Sequence, residues 1–137
     1  MRYIDCYLAP VPRANRAQYE ELAHVSWEVL RDYGALRLVE CWLDDAGADA
    51  STYHGKDARL PTDSYKSFPV VAGVDGDETV VMSWVEWPDK RTRDDGMEKV
   101  TVDPRMQFGD QSPVFDGARL VAGGFWPMID RSRSTAD

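Results

Sequence analysis

An apolar strand that runs into proline and then into a polar, helix-like stretch occurs twice in this chain, and that order constrains the fold more than any other feature. Ile4-Asp5-Cys6-Tyr7-Leu8 leads to Pro10 and Pro12, and Val80-Val81-Met82-Ser83-Trp84-Val85-Glu86-Trp87 leads to Pro88. A glycine-led segment follows each time. Gly34-Ala35-Leu36-Arg37-Leu38-Val39 recurs faintly as Gly117-Ala118-Arg119-Leu120-Val121. Strand–helix–strand repeated is the split βαβ pattern. It predicts an α+β, ferredoxin-like βαββαβ protomer, with an antiparallel sheet in strand order 4-1-3-2 and two helices on one face. At 137 residues the expectation is one domain over 1–130, with 131–137 as a disordered tail.

Periodicity places the elements. Residues 2–9 alternate, with Ile4, Cys6 and Leu8 on one face and Tyr3, Asp5 and Tyr7 on the other, and Pro10 and Pro12 end the strand. Tyr19, Leu22, Ala23, Ser26, Val29, Leu30 and Tyr33 form one stripe of a helix over 14–33, which Gly34 terminates. In the strand over 35–43, Leu36, Leu38, Glu40 and Trp42 oppose Arg37, Val39, Cys41 and Leu43. Residues 46–66 read as a long loop, and 67–74 as an extra edge strand because of Pro69. The strand over 78–87 is apolar on both faces. Asp89 caps a helix over 89–102, which Gly96 weakens by about 1 kcal/mol relative to alanine. Residues 118–126 are the last strand, where Gly123-Gly124 predicts a bulge or a close backbone approach.

The net charge of −8 argues against nucleic acid, whose binders present basic patches. The one basic cluster, Lys90-Arg91-Thr92-Arg93, is flanked by Asp89, Asp94 and Asp95. No apolar run is long enough to span a membrane, and Asp5 interrupts the place of a signal peptide's apolar run. A cytoplasmic protein is expected. Cys6 and Cys41 lie on strands separated by a third, roughly 10 Å apart at the usual strand spacing, so they are expected as reduced, buried thiols.

Two helices on one side leave the other sheet face bare. Both faces of the second and third strands are nonetheless apolar or aromatic, and an uncovered patch of that kind is unusual on a monomer. A second copy related by a two-fold axis is the expected cover, making the protein a homodimer.

Gly34-Ala35-Leu36-Arg37-Leu38-Val39-Glu40-Cys41-Trp42, Ser83-Trp84-Val85-Glu86-Trp87-Pro88, Asp103-Pro104-Arg105-Met106, Phe115-Asp116-Gly117 and Gly123-Gly124-Phe125 together resemble the YbaA-like family of small uncharacterised bacterial proteins. The resemblance spans nearly the whole chain. It implies a dimeric α/β barrel, two ferredoxin-like protomers packed sheet to sheet, and it implies no function.

Candidate chemistry centres on carboxylates among tryptophans. Glu40 and Glu86 sit on neighbouring strands, beside Trp42 and between Trp84 and Trp87. A carboxyl in an apolar pocket has a raised pKa and serves as acid or base near neutrality. The alternative is a structural pairing with Arg37, Arg105 or Arg119. His24 is a weaker candidate base, with a solvated histidine as the alternative. Asp5 reads as a buried acid or as a hydrogen-bonding residue of a dimer interface. Trp27, Trp42 and Trp84, with Arg37 and Asp5, are candidate ligand-binding residues, although the tryptophans also suit core and interface. His54 has no ligand spacing around it. No metal, cofactor or phosphate motif is visible. Two functions follow: a module binding a small apolar or aromatic molecule, or a cofactor-independent oxygenase- or isomerase-like enzyme using a strand carboxylate.

Overall fold

The computed structural model describes residues 1–133. Residues 131–133 carry no regular structure, and the rest of the expected tail, 134–137, lies outside the described residues. The elements are β1 (Tyr3–Pro12), α1 (Arg16–Asp32), β2 (Arg37–Trp42), α2 (Phe68–Ala72), β3 (Glu78–Trp87), α3 (Lys90–Val100) and β4 (Val121–Phe125). The protein is α+β. Its four strands form one sheet in the order β2-β3-β1-β4, with every neighbouring pair antiparallel.

The register assigns every strand residue to a face. Tyr7 lies opposite Ser83, Ala9 opposite Val81 and Val11 opposite Thr79; Leu38 lies opposite Val85, and Glu40 opposite Ser83. This face is covered by α1 and α3, since Val29 and Leu30 of α1 and Val100 of α3 share one buried cluster with Val85 and Trp87. Asp5, Tyr3 and Tyr7 therefore face the helices. The aliphatic side of β1 (Ile4, Cys6, Leu8) faces away from them, beside Trp84 and Met82 of β3.

Three sequence expectations change here. First, β1 does not end at its prolines but runs through both to Pro12. The carbonyls of Val80 and Glu86 accept from the backbone N–H groups of Leu43 and Leu36, so the even-numbered positions of β3 bond towards β2. Pro10 stands opposite Val80 and owes β3 no donor. Its absent N–H would point to the β4 side, where pairing stops at Leu8–Val121. Both prolines thus occupy free-edge positions of an otherwise central strand.

Second, 67–74 is not a strand. The Ser67 hydroxyl caps the N-terminus of α2 by accepting from the Val70 N–H at 3.3 Å, Pro69 occupies the first turn, and Gly73 closes the helix in the left-handed region at φ +72°. These are ordinary start and stop signals compressed into a five-residue helix. Third, Gly117–Arg119 is a 3-10 turn, and β4 starts only at Val121. The second copy of the repeat therefore turns where the first copy enters its strand.

Pairing of β1 with β4 runs without interruption through Gly123 and Gly124, so there is no bulge. The close approach is real: a Cβ on Gly124 would overlap the Tyr3 hydroxyl. Residues 46–66 hold short 3-10 turns, and His54 stacks on Tyr65 with ring centroids 5.1 Å apart.

Candidate functional site

Between the helices and the sheet lies a cavity of about 280 Å³. Its apolar walls come from Leu30 of α1, Val81 and Val85 of β3, Met97 of α3, and Phe108 and Phe115 of the segment before β4. Its polar atoms come from Tyr7, Tyr19, Ser26, Glu40 and Ser83. A larger groove of about 490 Å³ runs beside it between α1 and β2, past His24, Trp27 and Trp42, and both are partly open to solvent. Tyr19 and Glu40 belong to both walls. The Glu40 carboxylate therefore stands at the partition between groove and cavity.

The Tyr19 hydroxyl donates to Glu40 Oε1 at 2.8 Å. Ser83 faces Glu40 directly across the ladder. Burial pushes the Glu40 carboxyl above its ordinary range, and the Tyr19 and Ser83 hydroxyls pull it only partly back. Burial, reinforced by the charge of Asp5, pushes Tyr7 up to about 12. Burial and then the Glu40 charge push Tyr19 up as well. All three groups feel an environment that resists negative charge.

The sequence-derived candidates separate into three places. Glu40 and Trp42 stay together on the helix side. Trp42 is held there by a hydrogen bond from its Nε1 to Glu20 at 2.8 Å and by Arg16, whose guanidinium carbon lies 4.9 Å from the ring centroid. His24 and Trp27 line the outer groove, with His24 exposed.

Glu86 and Trp84 lie on the other face of the sheet. The two glutamates are not brought together, because Glu40 pairs in register with Ser83 whereas Glu86 pairs with Arg37, one odd and one even position of β3. Glu86 accepts from Trp84 Nε1 at 3.0 Å and forms ion pairs with Arg2 at 3.3 Å and Arg37 at 3.8 Å. Structural pairing thus accounts for Glu86 and occupies Arg37. It does not account for Glu40: Arg105 binds Asp103 and Asp32, and Arg119 binds Glu78 and Asp116.

Asp5 is the third place. It is buried on the helix side, where it accepts from Trp87 Nε1 at 3.0 Å and from Arg93 Nε at 3.0 Å. That geometry ties α3 to the sheet and removes Asp5 from any interface on the opposite face. The two cysteines are free and half-buried rather than buried, and they face away from the helices.

Tyr7, Tyr19 and Ser83 were not among the residues singled out from sequence. Ser83 carried a signal: it is the one hydroxyl within an apolar run, at the same parity as Val81, Val85 and Trp87.

The raised Glu40 gives a pH dependence with a definite sign. Above about pH 4.3, the usual carboxyl value, the unfolded chain has lost this proton while the native chain keeps it. Native stability therefore falls as pH rises until the native carboxyl has titrated, and stays lower beyond. Glu40→Gln keeps an acceptor for Tyr19 and carries no charge. Its Tm relative to the parent should climb as pH rises above about 4.3. An offset that stays constant with pH would show that Glu40 is not held in this way.

A family model described as "Protein of unknown function (DUF1428)" matches residues 2–117. The chain is also 35% identical over 131 residues to the "Uncharacterized protein YbaA" of Escherichia coli K12, covering 95% of this chain and 99% of that protein. The same identity and coverage hold for the YbaA proteins of Escherichia coli O157:H7 and Shigella flexneri.

Proposed function

The chain belongs to the DUF1428 family, and we propose that it is a small-molecule-binding protein whose ligand occupies the cavity beside Glu40. The observation that carries this reading is the cavity's composition: apolar walls, a few convergent hydroxyls and one carboxyl with a perturbed pKa. Ligand sites are built in this way. The neighbouring groove gives a route to solvent past Trp27 and Trp42.

A second reading has one observation in its favour. A carboxyl with a raised pKa beside a ligand is suited to taking or giving a proton, so the protein would be a cofactor-independent isomerase- or oxygenase-like enzyme with Glu40 as its base. Glu86, ion-paired on the other face, has no part in that reading.

The proposed protomer is ferredoxin-like, and the proposed assembly is a cytoplasmic homodimer joined through the sheet face opposite α1 and α3. Among the described residues no helix is long and apolar enough to cross a membrane. The free face supports the dimer. α2 covers one end of it, with Phe68 near Val80, Met82 and Leu43. Beyond α2 the face exposes Met82 at 37%, Val121 at 50% and Phe125 at 57%. Apolar side chains this exposed on a single sheet face mark an interaction surface. Light scattering at micromolar concentration should give twice the chain mass, and Met82→Glu should lower it towards one. A monomeric parent protein would remove the dimer.

Thermal shift with phenols, quinones, fatty acids and aromatic acids tests the binding reading. A ligand at a hundred times its Kd stabilises by about 2.7 kcal/mol. A hit that Glu40→Gln and Ser83→Ala both weaken supports the cavity. Hits that neither variant touches place the ligand elsewhere.

A further inference from the structure

The chemistry of the cavity walls selects among ligands, and we infer that the cavity takes a neutral, flat aromatic molecule bearing a hydroxyl group that donates to Glu40, and that it rejects aromatic carboxylates. This inference rests on the binding reading above and goes further by naming the ligand class.

Charge comes first. No lysine, arginine or histidine lines the inner cavity among the described residues, and the one carboxyl side chain there is Glu40. Arg93, a cation on the helix nearby, is committed to Asp5 and Asp94. His24, Arg37 and Trp42, with Arg16 stacked on it, belong to the outer groove. A carboxylate entering the cavity would therefore meet a like charge with no counter-ion, the arrangement that low-dielectric surroundings penalise most.

The donors do not rescue an anion. The Tyr19 proton is already spent on Glu40 at 2.8 Å, and Ser83 faces the same carboxyl. Ser26 donates to the Leu22 carbonyl at 2.7 Å, which leaves Tyr7, a single neutral hydroxyl that feels the Asp5 charge, against a bare carboxylate. A ligand hydroxyl fits the same inventory well. Glu40 has acceptor capacity beyond the single bond from Tyr19, because a carboxylate offers about four lone-pair sites.

Shape and size point to aromatic rings. Phe108, Phe115, Met97 and Met106 close the cavity opposite the sheet, and Tyr7 and Tyr19 contribute rings of their own. Thioethers and ring edges pack well against flat π systems. An apolar cavity of about 150 Å³ accommodates benzene, so 280 Å³ has room for two fused rings.

A matched trio of probes tests this: 2-naphthol, naphthalene and 2-naphthoate, at about pH 8, where the naphthoate is ionised. Binding of 2-naphthol is measured by calorimetry, and the other two by competition against it, so that anion binding in the outer groove does not register. The expected order is 2-naphthol first, naphthalene about tenfold weaker for loss of the hydrogen bond, and 2-naphthoate at least about 100-fold weaker for like-charge repulsion. In Glu40→Gln the gap between naphthol and naphthoate should narrow by about tenfold or more. Naphthalene as tight as naphthol, naphthoate as tight as naphthol, or a gap unchanged in Glu40→Gln would each overturn the inference while leaving a cavity that binds aromatics. If none of the three binds, the binding reading itself falls, and this inference with it.

Discussion

Trp87→Ala should cost the fold about 3–5 kcal/mol, the range for emptying a fully buried tryptophan site. Trp87 is 0% exposed and sits at the end of β3 among Val29, Leu30, Ala35, Val85 and Val100. It is also a polar strut, since its Nε1 donates to Asp5, which in turn holds Arg93 of α3. Alanine removes the packing and leaves Asp5 with Arg93 as its sole remaining partner here. A domain of this size has about 5–15 kcal/mol in total, so the variant should lose roughly a fifth or more of its stability. Its Tm should fall by roughly 10–20 °C. Trp87→Phe separates the two contributions. It keeps most of the ring contact and removes the donor, and it should cost about 1–3 kcal/mol. Chemical denaturation at one fixed protein concentration checks both, because a dimer's stability depends on concentration. A loss below about 1 kcal/mol for Trp87→Ala would mean that the helices do not depend on this side chain, against the core described above.

The same cluster shows what the sequence could and could not tell. Alternation within a strand was legible. It grouped Leu36, Leu38, Glu40 and Trp42 correctly, and Val81, Ser83, Val85 and Trp87 likewise. What alternation cannot supply is the phase between strands, because a one-residue slip moves every side chain to the other face. Glu40 and Glu86 look like neighbours until the register pairs Glu40 with Ser83 and Glu86 with Arg37. The phase depends on tertiary packing: the helices cover the parity that carries Trp87 and Val85. On β1 the misleading feature was composition. Ile4, Cys6 and Leu8 look like a core face, yet they lie on the side away from α1 and α3, while Tyr3, Asp5 and Tyr7 lie beneath the helices. The buried side of β1 can be polar because Asp5 has Trp87 and Arg93.

Local signals failed where an element was too short for periodicity to speak. Phe68–Ala72 has one turn and a little more, so its Ser67 cap and Gly73 terminus were outweighed by the β-branched Val70 and Val71. The candidate site was half legible for a related reason. A carboxylate among tryptophans stood out in the sequence, but the hydroxyls that complete the cavity come from β1, α1 and β3, far apart in the chain. Only the register and the helix packing bring Tyr7, Tyr19 and Ser83 to Glu40.

Gly96 is where intrinsic propensity and tertiary packing disagree most sharply, and a single substitution decides between them. In a helix interior, Gly→Ala gains about 1 kcal/mol from propensity alone. In this fold α3 lies so close to the end of α1 that a Cβ on Gly96 would stand 2.6 Å from the Tyr33 carbonyl oxygen and 2.8 Å from the Trp87 ring. The carbonyl belongs to the residue that closes α1, and the ring is fully buried, so neither neighbour can simply swing aside. The helices would have to separate, which loosens the Val100 and Val29 contacts over the sheet. Overpacking of this kind costs about 1–3 kcal/mol, occasionally more. Against the propensity gain, Gly96→Ala should still give a net destabilisation, of up to about 2 kcal/mol. Pairing it with Trp87→Phe provides the control. The smaller ring removes the aromatic part of the clash and leaves the Tyr33 carbonyl, so the double variant should be more stable than the sum of its parts predicts. A stabilised Gly96→Ala would show that α3 can lift from α1 without loss. Strict additivity would show that the glycine is there for the backbone of Tyr33 alone.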